Sequence, residues 1–247
     1  METFVFFNIP AHGHINPTLP IVQELIQRDK KVIYYCFEEF RNIIQKSGAE
    51  FRPYQLKKEK PSPQVVSDNF ITLAKFLLQG VDYFIDAHLQ ELKNENPDCI
   101  IHDSFCTWGK VAAKILKIKA ISSITTLVLR KKYFSLDLLK MFFTGIGDYF
   151  RFKKLARIYD KKYGLKFNLD NILTNEETLN LVYTSKYFQP DVKKLPDRFK
   201  FVGPSIKKRK KGETTFPFFK LKNKPIIYIS LGTIKNKNIN FFKKCIQ

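Results

Sequence analysis

The sequence predicts an α/β protein, a parallel sheet with helices on both faces. Two observations lead there. From Phe4 to Tyr54, short apolar runs alternate with stretches of helical periodicity in the order strand, helix, strand, helix, strand, the pattern of strands joined by crossover helices. The alternation resumes after residue 98, and the 247-residue chain is 44% hydrophobic with 24 Phe and 11 Tyr, enough to bury a substantial core in one or two domains.

Each element follows from its residues. Residues 4–9, rich in Phe and Val, read as a buried strand, and residues 10–14 as a turn. A helix comes next: Asn16 can cap it, Pro17 falls at the first helical position where a missing N–H costs nothing, and Leu19, Val22, Leu25 and Ile26 recur at helical spacing. Residues 32–36 give a second strand, residues 38–47 a helix stopped by Gly48, and residues 50–54 a third strand. After a loop at 61–64, Phe70, Leu73, Phe76, Leu77, Phe84 and Leu89 mark a helical stretch over 65–92, interrupted at Gly80. Residues 98–102 read as a strand, 108–116 as a helix of small and apolar residues, and 120–124 as a strand. The pattern over 136–163 is helical with a break near Gly145 and Gly147, and 179–183 and 200–202 close the series as strands.

The composition changes after Gly203 and Pro204. Residues 1–204 form one domain, 205–224 a basic interdomain linker, and 225–247 the start of a second domain, with a strand over 226–231 and part of a helix over 235–247. A single strand and part of a helix cannot bury their own apolar faces, so that second domain is expected to be incomplete.

Charge and cysteine usage exclude several classes. The net charge is +20, but residues 198–247 hold 14 Lys/Arg against the single acid Glu213, leaving only +7 on the first 197 residues. That distribution argues against nucleic-acid binding as the function of the main body. No apolar run approaches the ~18 residues needed to cross a bilayer, and the N-terminus lacks the basic flank of a signal peptide, so a soluble cytoplasmic protein is expected. Cys36, Cys99, Cys106 and Cys245 lie far apart, with no paired spacing and no His at zinc-ligand spacing, so neither a disulfide framework nor a metal is indicated.

Two places carry candidate chemistry. The segment from Pro10 to Pro17 lies between the first strand and the first helix, at the carboxyl edge where doubly wound folds bind ligands. It holds His12, Gly13 and His14. Gly13 permits a tight turn, and the helix start offers N–H groups suited to a phosphate. As a pair, His12 and His14 are either surface loop residues or a site in which at most one points into a pocket. The second place is a buried strand ending in His102 and Asp103, at the same edge if the sheet is parallel. Asp103 either caps the following helix or orients an imidazole as a general base, which makes a His14–Asp103 contact feasible. His102 is expected to pack or hydrogen-bond locally.

Four ordered motifs extend this reading: FFNIPAHGHINPTLPIVQELIQRDKKVIYY, PDCIIHDSF, FKFVGPSI and PIIYISLGT. Together they resemble the UDP-glycosyltransferases of the macrolide glycosyltransferase type. The resemblance implies the N-terminal half of a fold of two facing Rossmann-like domains, with the acceptor in this half and the nucleotide sugar mostly in the other. It implies an inverting transfer of a hexosyl group from a UDP-sugar to a small lipophilic or aromatic acceptor, with His14 as base and Asp103 as the carboxylate that holds it. Gly13 and the turn residues Ser230, Gly232 and Thr233 are implied near the donor, which is a co-substrate, with no cofactor and no metal. Trp108, just after Asp103, is the aromatic candidate for the acceptor pocket. The family's long donor signature has no counterpart in the sequence. The alternative reading is accordingly a catalytically inactive homologue that binds an acceptor or a partner.

Overall fold

The computed structural model describes residues 1–55, 70–128, 146–169, 171–206, 217–221, 225–232, 236 and 238–246. Its contacts divide the chain into two units, Met1–Ser205 and Ile206–Gln247.

The first unit is built on one sheet of seven described strands: β1 Thr3–Phe7, β2 Lys31–Cys36, β3 Glu50–Pro53, β4 Cys99–Asp103, β5 Lys119–Ile124, β6 Leu179–Val182 and β7 Phe199–Phe201. The order is β3-β2-β1-β4-β5-β6-β7, and every pairing is parallel. All strands therefore end at one edge, and the loops leaving β1, β4 and β5 rise from three adjacent strands. Around the sheet lie α1 His12–Ile15, α2 Leu19–Gln27, α3 Arg41–Gln45, α4 Phe70–Glu95, α5 Thr107–Leu116 and α6 Ile146–Tyr163. This is the α/β architecture expected from the alternating pattern.

Strand alternation sends successive side chains to opposite faces. Val5, Phe7, Ile33, Tyr35 and Ile100 pack on one side with Leu78 of α4, Val111 of α5 and Phe152 of α6. Phe6, Val32, Tyr34, Cys36 and Ile101 pack on the other with Val22 of α2 and Ile44 of α3. Val5, Phe6 and Phe7 have no exposed surface, and each such side chain contributes roughly 1.5–3 kcal/mol of burial. A strand buried on both faces has to be continuously apolar, which is why these runs do not alternate with polar residues.

Several details differ from the sequence expectations. Asn16 and Pro17 do not open the first long helix. Asn16 closes the short turn α1, its N–H bonding to the His12 carbonyl. Pro17 has no N–H to extend that turn, so α2 starts afresh after Thr18, with Pro20 in its first turn where no donor is needed. Gly80 does not interrupt α4. A Cβ there would lie 3.3 Å from the Trp108 ring, so the residue admits an indole rather than breaking the helix. Gly48 does end its segment, at φ +95°, a backbone angle open to glycine. Of the two helices expected over 136–163, α6 is described, and residues 136–145 lie outside the described residues.

In the second unit, residues 226–231 form no strand: Ile226, Ile227, Tyr228 and Ile229 are exposed and no described neighbour pairs with them. A strand exists only through ladder bonds to a partner, and local β-propensity does not supply one. The helix α7, Ile239–Ile246, forms within the expected range and buries none of its residues. No helix among the described residues is long and apolar enough to cross a membrane.

Candidate active site

β1, β4 and β5 end side by side and deliver three residues to one spot. After β1 the chain turns through Asn8 into α1, which carries His14; Asp103 is the last residue of β4, and Thr125 follows the last residue of β5. His14 Nδ1 lies 2.7 Å from Asp103 Oδ2 and 2.9 Å from Thr125 Oγ1. Asp103 is fully buried, and the His14 side chain keeps 11% of its surface.

The surroundings fix both partners. The second carboxylate oxygen, Asp103 Oδ1, accepts the Phe105 N–H at 2.8 Å, so both oxygens have defined tasks. Asp103 does not cap α5, whose N-cap is Cys106 and receives no side-chain hydrogen bond; one of its oxygens holds the turn at Phe105 ahead of the helix while the other meets His14. The Asn8 side chain donates to the His14 carbonyl at 2.8 Å. The Tyr54 hydroxyl in turn donates to the Asn8 carbonyl at 3.0 Å. The Phe105 ring packs 5.2 Å from the imidazole.

Two opposed effects set the protonation of His14. Burial lowers its pKa by penalising the imidazolium; the charge and hydrogen bond of Asp103 raise it and prevail, leaving it above its ordinary value. The proton of the neutral ring sits on Nδ1, because a carboxylate accepts and cannot donate. Nε2 then presents a lone pair, and it makes no hydrogen bond among the described residues. An imidazole in this state can take a proton from a hydroxyl and pass into a form that Asp103 stabilises.

The other candidate residues fall elsewhere. His12 is exposed, its ring 5.0 Å from that of Phe40. His102 is buried and meets Glu177 at 3.2 Å, while Lys110 reaches the same carboxylate at 3.0 Å. Burial works against the Glu177 charge, but these two partners hold its carboxyl below the usual range. Gly13 adopts no positive φ, and nothing lies within 4 Å of a Cβ added there, so its helical position makes no tight turn that needs glycine. Trp108 is 8% exposed and packs within the core cluster. Its ring meets Tyr54 edge-on at 5.9 Å.

Ser230 and Gly232 belong to the second unit, where the Gly232 N–H bonds the Ser230 hydroxyl at 3.1 Å, and Thr233 lies outside the described residues. Among the described residues no three His, Cys, Asp or Glu side chains gather as a metal-binding group.

Sequence reasoning did not single out Asn8, Phe105 or Thr125. Thr125 carried a usable signal, being a hydroxyl residue just past a predicted strand at the ligand-binding edge.

Comparison with known proteins follows the same lines. No family model matches the chain. It is 30% identical to the uncharacterized UDP-glucosyltransferase YojK of Bacillus subtilis, over 100% of this chain and 63% of that protein. It is 32% identical to the NDP-glycosyltransferase YjiC of the same organism, over 97% of this chain and 60% of that protein. Among solved structures, the calicheamicin glycosyltransferase CalG4 shares its fold with a TM-score of 0.65 at 23% identity, covering 83% of this chain and 53% of that one. The chain thus spans about three fifths of the length of the curated relatives it matches. The similarity to these glycosyltransferases extends along nearly the whole of this chain.

Proposed function

We propose that this chain, which is similar to bacterial UDP- and NDP-glycosyltransferases, is the acceptor-binding half of an inverting glycosyltransferase. The observation that carries the reading is the buried 2.7 Å contact between His14 and Asp103 at the carboxyl edge of the sheet. A buried carboxylate is costly unless its charge is used, and here it raises the basicity of an imidazole whose second nitrogen has no partner among the described residues.

In the proposed reaction His14 Nε2 takes the proton of the acceptor hydroxyl as that oxygen attacks the anomeric carbon. The bond from that carbon to the diphosphate breaks on the opposite face, so the configuration inverts and the electron pair leaves with the nucleotide. Asp103 offsets the charge of the imidazolium that forms. General-base assistance of this kind is worth about 10²- to 10⁴-fold.

The donor is proposed as a UDP-hexose, on the resemblance to UDP-dependent enzymes and to the UDP-glucosyltransferase YojK; the broader "NDP" in the name of YjiC makes the base the less constrained part. Ser230, Gly232, Thr233 and Gly13 are its proposed contacts. Backbone N–H groups stabilise the departing diphosphate, and no metal is required. A small lipophilic or aromatic alcohol is the proposed acceptor.

The test joins this chain to the part of YojK that lies beyond the match and measures transfer from UDP-glucose to a phenolic acceptor in the presence of EDTA. H14A is expected to lower kcat by about 10²- to 10⁴-fold while acceptor binding persists. Undiminished turnover in H14A sinks the base assignment. Acceptor binding without transfer in the unaltered hybrid leaves a binding module instead.

A further inference from the structure

We propose that Thr125 is a positioning residue for His14, its hydroxyl oxygen accepting a second branch of the Nδ1–H hydrogen bond and so fixing the plane of the ring. The inference rests on the reading of His14 as the base. Two oxygens stand near one nitrogen: Asp103 Oδ2 at 2.7 Å and Thr125 Oγ1 at 2.9 Å. Nδ1 carries a single hydrogen. The carboxylate can only accept it, so while that hydrogen is in place the hydroxyl cannot donate to Nδ1 and serves as its second acceptor.

The geometry gives the arrangement a purpose. A single bond from Asp103 leaves the ring free to swing about the Nδ1–Oδ2 line, carrying Nε2 off its target. A second contact, from a different strand end, removes that freedom. Asp103 belongs to β4 and Thr125 to the turn after β5, two strands locked in register from Cys99–Lys119 to Asp103–Ser123. The ring is thus held against a rigid part of the sheet. Productive proton transfer needs the acceptor oxygen and Nε2 aligned, and small misplacements cost large factors.

The contact also has a spectroscopic signature. Around His14, Asp103 is the charged partner that the structure gives among the described residues; Thr125 and the Phe105 ring are neutral, and Asn8 engages only the backbone carbonyl. Burial and the nearby Asp103 charge push the Tyr183 hydroxyl up to about 12 and raise Tyr34 and Cys106 as well, so none of these titrates with the imidazole. Removing the Thr125 hydroxyl deprives the imidazolium of one acceptor and leaves Asp103 in place.

The experiment is an NMR titration of the ring nitrogens in the full chain, whose four His are separable by single substitution. In T125V the His14 midpoint is expected to fall by about half a unit to one unit, with the proton of the neutral ring still on Nδ1. T125S is expected to restore the midpoint. If T125V does not fold, T125A removes the same hydroxyl. An unmoved midpoint overturns the proposal, and so does an equal fall in T125S, which would trace the effect to packing. No donor or acceptor is present, so failure here leaves the transfer role of His14 standing. If instead the hybrid enzyme proves indifferent to H14A, the transfer reading fails while this contact survives.

Discussion

Asp103 shows how much one buried carboxylate can set. Its neighbour His14 has a raised pKa, so the folded chain holds that proton more tightly than the unfolded chain does. The associated stability is fully present below the unfolded value of about 6.5 and is lost as pH rises through the folded midpoint. Activity runs the other way, because a base must be neutral to act, and transfer by the hybrid should climb as pH passes that midpoint. D103N keeps the shape and removes the charge. Burial then prevails, the midpoint drops, the rising limb of the pH–rate profile moves to lower pH, and the plateau falls by roughly 10²-fold or more. A limb that stays in place in D103N shows that another group sets it. The pair itself was legible in the sequence, since Asp103 ends one apolar run and His14 lies in the loop that follows another, at what a parallel sheet makes a common edge. Asn8 was not, and Thr125 only by its place just past a predicted strand, because a lone amide or hydroxyl gains a role only when the register of β1, β4 and β5 says what stands opposite.

At the scale of elements, the close approach of α5 to β4 decides whether Asp103 is held in place. A Cβ at Gly109 would come within 2.4 Å of His102 Cβ and 3.1 Å of the Phe7 ring. Alanine normally favours a helix over glycine by about 1 kcal/mol, but overpacking against a central strand costs about 1–3 kcal/mol and often more. The clash should win, and G109A is expected to lower Tm by several degrees and to loosen the His14–Asp103 pair. G13A is its control: the site is helical and open, and stability should hold or rise. Thermal unfolding of both variants checks the contrast, and a G109A protein as stable as the parent defeats the packing argument. Apolar runs named the strands of the first unit to within a residue or two, whereas the run at 226–231 forms none because it has no ladder partner among the described residues. Glycines misled where they serve packing: Gly80 looks like a helix interruption in sequence and is a seat for Trp108 in three dimensions.

For the molecule as a whole, the two units differ in what they bury. Met1–Ser205 closes both sheet faces with helices. In Ile206–Gln247 the segment that most resembles a core strand leaves Ile227 and Tyr228 each 87% exposed, and α7 buries nothing. Apolar side chains in water contribute no folding free energy, so backbone bonds there open at little cost while the sheet opens only with global unfolding. Trypsin needs an opened stretch of about a dozen residues around a Lys or Arg. It should therefore cut at Lys220, Lys243 and Lys244, all in the second unit, well before Arg28, Lys31 or Lys110 in the first. Limited digestion followed by mass spectrometry should show a persistent fragment that begins at Met1 and ends beyond Ser205. The same fragment should keep the His14 titration of the full chain, because Asn8, Asp103, Phe105 and Thr125 all lie within it. A second unit as resistant as the first would mean that residues 226–231 have found a ladder partner, and a fragment that loses the His14 midpoint would mean that the dyad depends on chain beyond Ser205.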